Sequence, residues 1–158
     1  MTQASLITSD MQAAIGRESP PVTYELDRHA CRLFARAVGY SDPIHFDEEA
    51  ARAAGYRDIP APPGFLGHPV YNPGRTAGPG YASLRFDTPL KRILNGGTDI
   101  EYLADVCAGD VLTATTRLAD IKEREGNMGP MLITTTETTF RNQQGDVVAV
   151  QRGTLIQY

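Results

Sequence analysis

Apolar residues recur at two different spacings along this chain, and the change of spacing divides it. Up to about residue 70 they follow helical steps broken by Pro and Gly, and after Gly96 they alternate with polar residues. Ser9 and Asp10 before Met-Gln-Ala-Ala-Ile predict a short helix stopped near Gly16. Val22, Tyr24 and Leu26 alternate with Thr23 and Glu25, which predicts a strand. Asp27 is placed to cap a helix with Ala30, Cys31, Phe34, Ala37 and Val38 on one apolar face, ended by Gly39. A second helix is expected from about Asp47 to Ala54, its first turn crowded with Asp47, Glu48 and Glu49, which the helix dipole favours. Residues 58–63 should be extended, because each residue before a proline is pushed out of the α region. A third, short helix is predicted from Pro63 or Gly64, with Phe65, Leu66, Pro69 and Val70 as its apolar content. Residues 72–97 are rich in Gly and Pro and are expected to be a loop with a short element around Tyr81 to Phe86.

From Gly97 the pattern predicts strands throughout. Thr98–Val106 is strand-like, Ala108-Gly109-Asp110 is a turn, and Val111–Ile121 alternates. Leu132–Phe140 is dense in β-branched residues, Asn142–Asp146 is a hairpin connection, and Val147–Ile156 closes the sheet. Threonines on such strands are expected to face solvent or pair across strands, with no chemistry assigned to them. A strand, then helices, then four antiparallel strands predicts an α+β hotdog fold: a curved antiparallel sheet wrapped around a central helix, with the helix near Gly64 in that role.

Composition narrows the function classes. The 158 residues suit one domain spanning 1–158, and 41% hydrophobic with 22% charged residues is the profile of a soluble globular protein. A net charge of -4 argues against general nucleic-acid binding. No apolar run approaches the ~20 residues of a membrane span, and the N-terminus lacks a basic region followed by an apolar block, so a cytoplasmic location is expected. The two cysteines, Cys31 and Cys107, are read as small hydrophobes rather than a disulfide. They form no CxxC or Cys/His ligand spacing, so no metal site is expected.

The candidate chemistry lies between Gly39 and Gly67. The run G-Y-S-D-P-I-H-F-D-E-E-A-A-R puts His45 in a loop closed by Pro43, just before a helix. A-P-P-G-F-L follows at residues 61–66. These two runs resemble the MaoC-like, R-specific enoyl-CoA hydratase family, in the style of its N-terminal dehydratase branch. L-N-G-G-T-D-I-E-Y, C-A-G-D-V-L-T and F-R-N-Q-Q-G-D-V-V extend the resemblance over roughly residues 9–158. It implies that His45 activates water for addition to a 2-enoyl thioester, a role suited to a group that exchanges protons near neutral pH. It also implies that the Gly64 N–H polarises the thioester carbonyl at a helix N-terminus, with Pro63 and Phe65 lining the substrate site. No cofactor is implied, coenzyme A or an acyl carrier being part of the substrate. The ligand would lie between two hotdog subunits, in a homodimer or a heterodimer.

One departure bears on activity. The family reads Gly-Asp-x-Asn-Pro-Leu/Ile-His, whereas this chain has Tyr40 where the family has its Asp, and Asp42 where it has Asn. Asp42 or Asp47 could assist His45, or Tyr40 could replace the acid. The leading expectation is a hydratase or dehydratase using His45 and Gly64, with Asp42 and Tyr40 as its candidate assistants. The alternatives are a non-catalytic hotdog subunit that shapes the acyl tunnel for a catalytic partner, or a repurposed site with other chemistry. His68, one turn beyond Gly64 in the expected helix, is a weaker candidate, and His29 is expected to be an exposed helix residue.

Overall fold

In the computed structural model, which describes residues 5–74 and 86–158, the alternation of the last third becomes a curled antiparallel sheet. The strands are β1 (Val22–Glu25), β2 (His68–Pro69), β3 (Ile93–Tyr102), β4 (Val111–Gly126), β5 (Gly129–Arg141) and β6 (Val147–Gln157). Among the described residues they pair in the order β2-β1-β4-β5-β6-β3, every pair antiparallel. β1, whose alternation predicts a strand but not its neighbours, lies between β2 and β4. On β4, Leu112, Ala114, Thr116 and Leu118 are buried while Val111, Thr113 and Arg117 are exposed, so the two-residue period of the sequence is the period of burial. The strand expected at Thr98–Val106 instead starts at Ile93 and ends at Tyr102. Its partner register with β6 shifts between Asn95 and Gly97, a bulge that the Gly96-Gly97 pair permits.

The helices are α1 (Ser9–Ala14), α2 (Arg28–Val38) and α3 (Glu48–Ala53). Thr8 caps α1 and Asp27 caps α2, each side chain accepting from a backbone N–H of the first turn. Gly39 ends α2 in the left-handed conformation at φ 82°. The buried residues of α2 are Ala30, Cys31 and Ala35, with Phe34 half-buried; Ala37 and Val38, expected on the same face, are exposed at its last turn. Two apolar clusters form against the sheet. One joins Ala30, Cys31, Phe65 and Leu66 to Leu112, Ala114 and Phe140, and the other joins Met11 and Ala14 of α1 to Leu118, Ile121 and Leu132. Burial pushes the Cys31 thiol up to about 12, and both cysteines are free.

The helix predicted from Pro63 or Gly64 does not form. Phe65 N–H donates to the Pro62 carbonyl at 2.9 Å, closing a tight turn with Pro63 and Gly64 at its centre. Gly64 has φ +91° and Gly67 φ +89°, and two left-handed residues three apart cannot belong to a right-handed helix. Pro followed by Gly at the two central positions is a turn signal that outweighs the few apolar residues after it. Gly67 is also required by close approach, since a Cβ there would lie 2.6 Å from the Glu25 carbonyl oxygen. His68 therefore enters β2, paired with Glu25, and is exposed. The short element expected at Tyr81 to Phe86 falls almost entirely outside the described residues. Among the described residues no helix is long and apolar enough to cross a membrane.

Candidate functional site

The loop from Gly39 to Asp47 is shaped by its own carboxylates. Asp42 accepts from Ile44 N at 3.1 Å and caps a single 3₁₀ turn, Pro43–His45, for which Pro43 fixes the first φ. Asp47 accepts from Glu49 N at 2.7 Å and Ala50 N at 3.0 Å, capping α3. Both carboxylates expected as candidate partners of His45 are thus hydrogen-bonded to backbone instead. Ion pairs fix the loop against its neighbours. Arg28 of α2 meets Glu48 at 2.8 Å and Asp58 at 2.9 and 2.7 Å, and Arg32 Nε donates to the Phe46 carbonyl at 2.9 Å. The Arg28 hydrogen bond holds the Asp58 carboxyl below the usual carboxylate range.

His45 is 8% exposed. Its Nδ1 lies 3.2 Å from the Pro60 carbonyl oxygen. A carbonyl only accepts, so Nδ1 carries the proton, and in the neutral tautomer this leaves Nε2 as the acceptor. The orienting group that the sequence sought in Asp42 or Asp47 is therefore the backbone at Pro60, supplied by the extended 58–63 segment. The Tyr40 ring sits beside the imidazole, centroids 5.8 Å apart at 33°, and its hydroxyl donates to the Pro63 carbonyl at 3.2 Å.

Gly64 N–H points at a residue the sequence did not single out. It donates to the Tyr102 hydroxyl at 2.9 Å. Burial raises the Tyr102 phenol above its ordinary value, partly offset by this bond, with Tyr40 raising it further. His45, Pro60, Pro63, Tyr102, Tyr56 and Asp105 face a common hollow of about 260 Å³. Tyr40, His45, Pro63 and Gly64 are thus brought together, whereas Phe65 is turned inward, stacked on Phe34 at 5.1 Å. His68 packs edge-on against Phe65 at 5.2 Å rather than near His45, and His29 is exposed as expected. Tyr102 and Asp105 lacked any local signal: Tyr102 reaches the hollow through its bond to Gly64 N–H, and Asp105 because the residues after it, Val106 and Cys107, bridge to Ala61 and Pro60.

The arrangement offers an imidazole held through Nδ1, two phenols and a backbone N–H already engaged by one of them. A profile of the FAS1-like dehydratase domain region matches residues 13–151. A UPF0336 protein of Streptomyces griseus is 38% identical over 117 residues, covering 73% of this chain and 76% of that protein. A UPF0336 protein of Saccharopolyspora erythraea is 34% identical over 146 residues, covering 92% of this chain and 89% of the relative. Among solved structures, the C-terminally truncated HadBC (3R-hydroxyacyl-ACP dehydratase) complex of Mycobacterium tuberculosis is similar at TM-score 0.69 and 25% identity, covering 90% of this chain and 96% of that one. The ChsH1–ChsH2 complex of the same organism shares the fold at TM-score 0.74 and 18% identity, covering 95% of this chain and 92% of that one.

Proposed function

This chain belongs to the FAS1-like dehydratase domain family, a MaoC-like hotdog family, and from that premise we propose that it is the non-catalytic, tunnel-shaping subunit of a two-subunit dehydratase. The substrates would be 2-enoyl and 3-hydroxyacyl thioesters of coenzyme A or an acyl carrier, with coenzyme A entering only as part of the substrate. The observation that carries this reading is the Gly64 N–H bonded within the chain to Tyr102 Oη at 2.9 Å. A donor must point at the oxygen on which charge develops to stabilise it, and this one is turned to a phenol of its own subunit. The surroundings of His45 agree. Tyr40 stands where the resembling family has Asp, and Asp42 and Asp47 are spent on helix caps. The HadBC relative is itself a complex, which supports a second hotdog subunit as the partner.

The test is reconstitution. The pure chain should not hydrate a 2-enoyl-CoA, followed by loss of enoyl-thioester absorbance, and activity should appear with a MaoC-like sister that carries Asp and His. His45→Ala in this chain should leave the reconstituted rate within about threefold, whereas loss of a general base costs ~10²–10⁴. Turnover by the pure chain, abolished by His45→Ala with the fold intact, would overturn the proposal.

One observation favours a second reading, the autonomous hydratase. The Nδ1 contact with the Pro60 carbonyl leaves Nε2 as an acceptor, which is the tautomer a general base requires. Under that reading Tyr40→Asp in the pure chain should raise hydration, because it restores a carboxylate beside the imidazole.

A further inference from the structure

The inner face of the curled sheet changes character along its length. On β5 the residues of this face are Leu132, Thr134, Thr136, Thr138 and Phe140. Leu132 belongs to the apolar cluster around α1 and Phe140 to the one around α2. Between these two apolar ends β5, β6 and β3 make the face predominantly polar, since Thr138 pairs across to Gln151 of β6 and Thr136 to Gly153, itself paired with Thr98 of β3, while Leu155, opposite Thr134, and Ile100, opposite Gln151, are its apolar residues. This polar middle lines a hollow of about 570 Å³. A second hollow, of about 190 Å³ and bordered by Gly64 and Phe65, shares Thr138 and Gln151 with it. The two hollows adjoin at Thr138 and Gln151 and together extend from the Gly64 turn along the inner face as a groove in two parts.

The threonines are not explained by strand packing alone. Thr138 pairs with Thr116, hydroxyl to hydroxyl, at 2.8 Å, and Thr136 reaches the Gly153 carbonyl only at 3.5 Å. Thr134 is 7% exposed, and among the described residues its hydroxyl and the Gln151 amide have no hydrogen-bond partner. No side-chain polar atom among the described residues is both fully enclosed and unsatisfied, so the Thr134 hydroxyl opens onto the groove. Valine has nearly the same shape and would suit a dry face, so hydroxyls here imply an occupant that meets them. Besides Phe86, Ile93 and Leu155, the described lining carries Asn, Thr and Gln side chains and no ionisable one, which selects neutral donors and acceptors over carboxylates or phosphates.

We propose that this groove takes the acyl chain of the thioester and selects chains bearing neutral oxygen functions, hydroxyl or keto groups, over plain hydrocarbon chains. The inference rests on the reading of the chain as a thioester-binding dehydratase subunit and names the substrate class of that site. A hydrocarbon chain drawn across Thr134, Thr136 and Gln151 would strip their water and return no hydrogen bond.

The experiment compares two CoA thioesters of equal chain length, one a plain 2-enoyl chain and one carrying additional hydroxyls, titrated into the reconstituted two-subunit complex. The hydroxylated thioester should bind roughly five- to tenfold more tightly for each hydrogen bond made. Thr134→Val with Thr136→Val should abolish that preference while the plain thioester still binds, which reports a folded complex. Gly153→Leu should weaken both, because its Cβ would meet nothing closer than Thr136 Oγ1 at 3.4 Å and the side chain would fill the groove. Equal binding of the two thioesters, unmoved by the valines, would overturn the inference and leave the dehydratase reading standing. A preference that persists when the added hydroxyls are moved to a short acyl group would put the pantetheine amides in the groove and also overturn it. Failure of the complex to bind either thioester would overturn the dehydratase reading itself.

Discussion

Tyr102→Phe removes one oxygen atom and tests what the Gly64 N–H is for. In the wild type that oxygen accepts from Gly64 N at 2.9 Å, across 38 residues of sequence. The bond is at the surface, so the freed N–H can be taken by water, and the net loss should be about 0.5–1.5 kcal/mol. For a chain of 158 residues, 1 kcal/mol lowers Tm by roughly 2–4 °C, which differential scanning calorimetry resolves. The pH dependence carries a sign. The folded phenol lies above its ordinary value of 10.0, chiefly through burial. Its contribution to stability is therefore complete below pH 10.0 and is lost as pH rises through the higher folded value. The phenylalanine variant has no such group, so its alkaline stability limb should be flatter than the wild type's. Activity of the reconstituted complex should stay within about threefold, because the N–H is not used on substrate in this subunit. An oxyanion donor contributes ~10²–10³ in rate. A change of that size in either direction on Tyr102→Phe would refute the reasoning, for the N–H would then be acting on the thioester.

Three further outcomes follow from the structure. Gly67→Ala should destabilise by about 2–4 kcal/mol, seen as a fall in the urea midpoint, because a Cβ at φ +89° meets the Glu25 carbonyl at 2.6 Å; a loss under about 0.5 kcal/mol would mean the β1–β2 contact is not made. Glu137 lies between Arg117, at 2.7 Å, and Arg152, at 3.0 Å, and the Arg117 hydrogen bond is the largest cause of a carboxyl value below the ordinary 4.5. Its stabilisation is complete above pH 4.5 and is lost as pH falls through the lower folded value, so Glu137→Gln should flatten the acid limb of a Tm–pH curve, and an unchanged limb would count against the triad. Cys31, fully buried with its thiol pushed up to about 12, should resist alkylation at neutral pH until urea unfolds the chain; labelling of the native protein at the rate of a free thiol would contradict its burial.

The sequence by itself determined those features that depend on neighbours in the chain. The two-residue alternation of β4, the Asp27 cap and Gly39 end of α2, and the Asn142–Asp146 hairpin were all legible, because strand pleat, caps and tight turns are set within a few residues. His45 and Tyr40 stand out in the sequence only through the family resemblance of their loop. Tertiary structure decided whatever depended on what a segment packs against. Pro63-Gly64 was read as opening a helix, but Gly67 has to approach the Glu25 carbonyl of β1 so closely that the chain turns there and enters β2. The partner of the imidazole is a backbone carbonyl at Pro60, invisible to any search for carboxylates. Tyr102 meets Gly64 only because β3 ends over that turn. The threonines of β5 read as solvent-facing or cross-strand residues, since alternation marks two faces without saying which one the sheet curls around. The curl put Thr134, Thr136 and Thr138 on the inner face, between two apolar clusters contributed by α1 and α2, and that choice was made by the packing of those helices rather than by the strand itself.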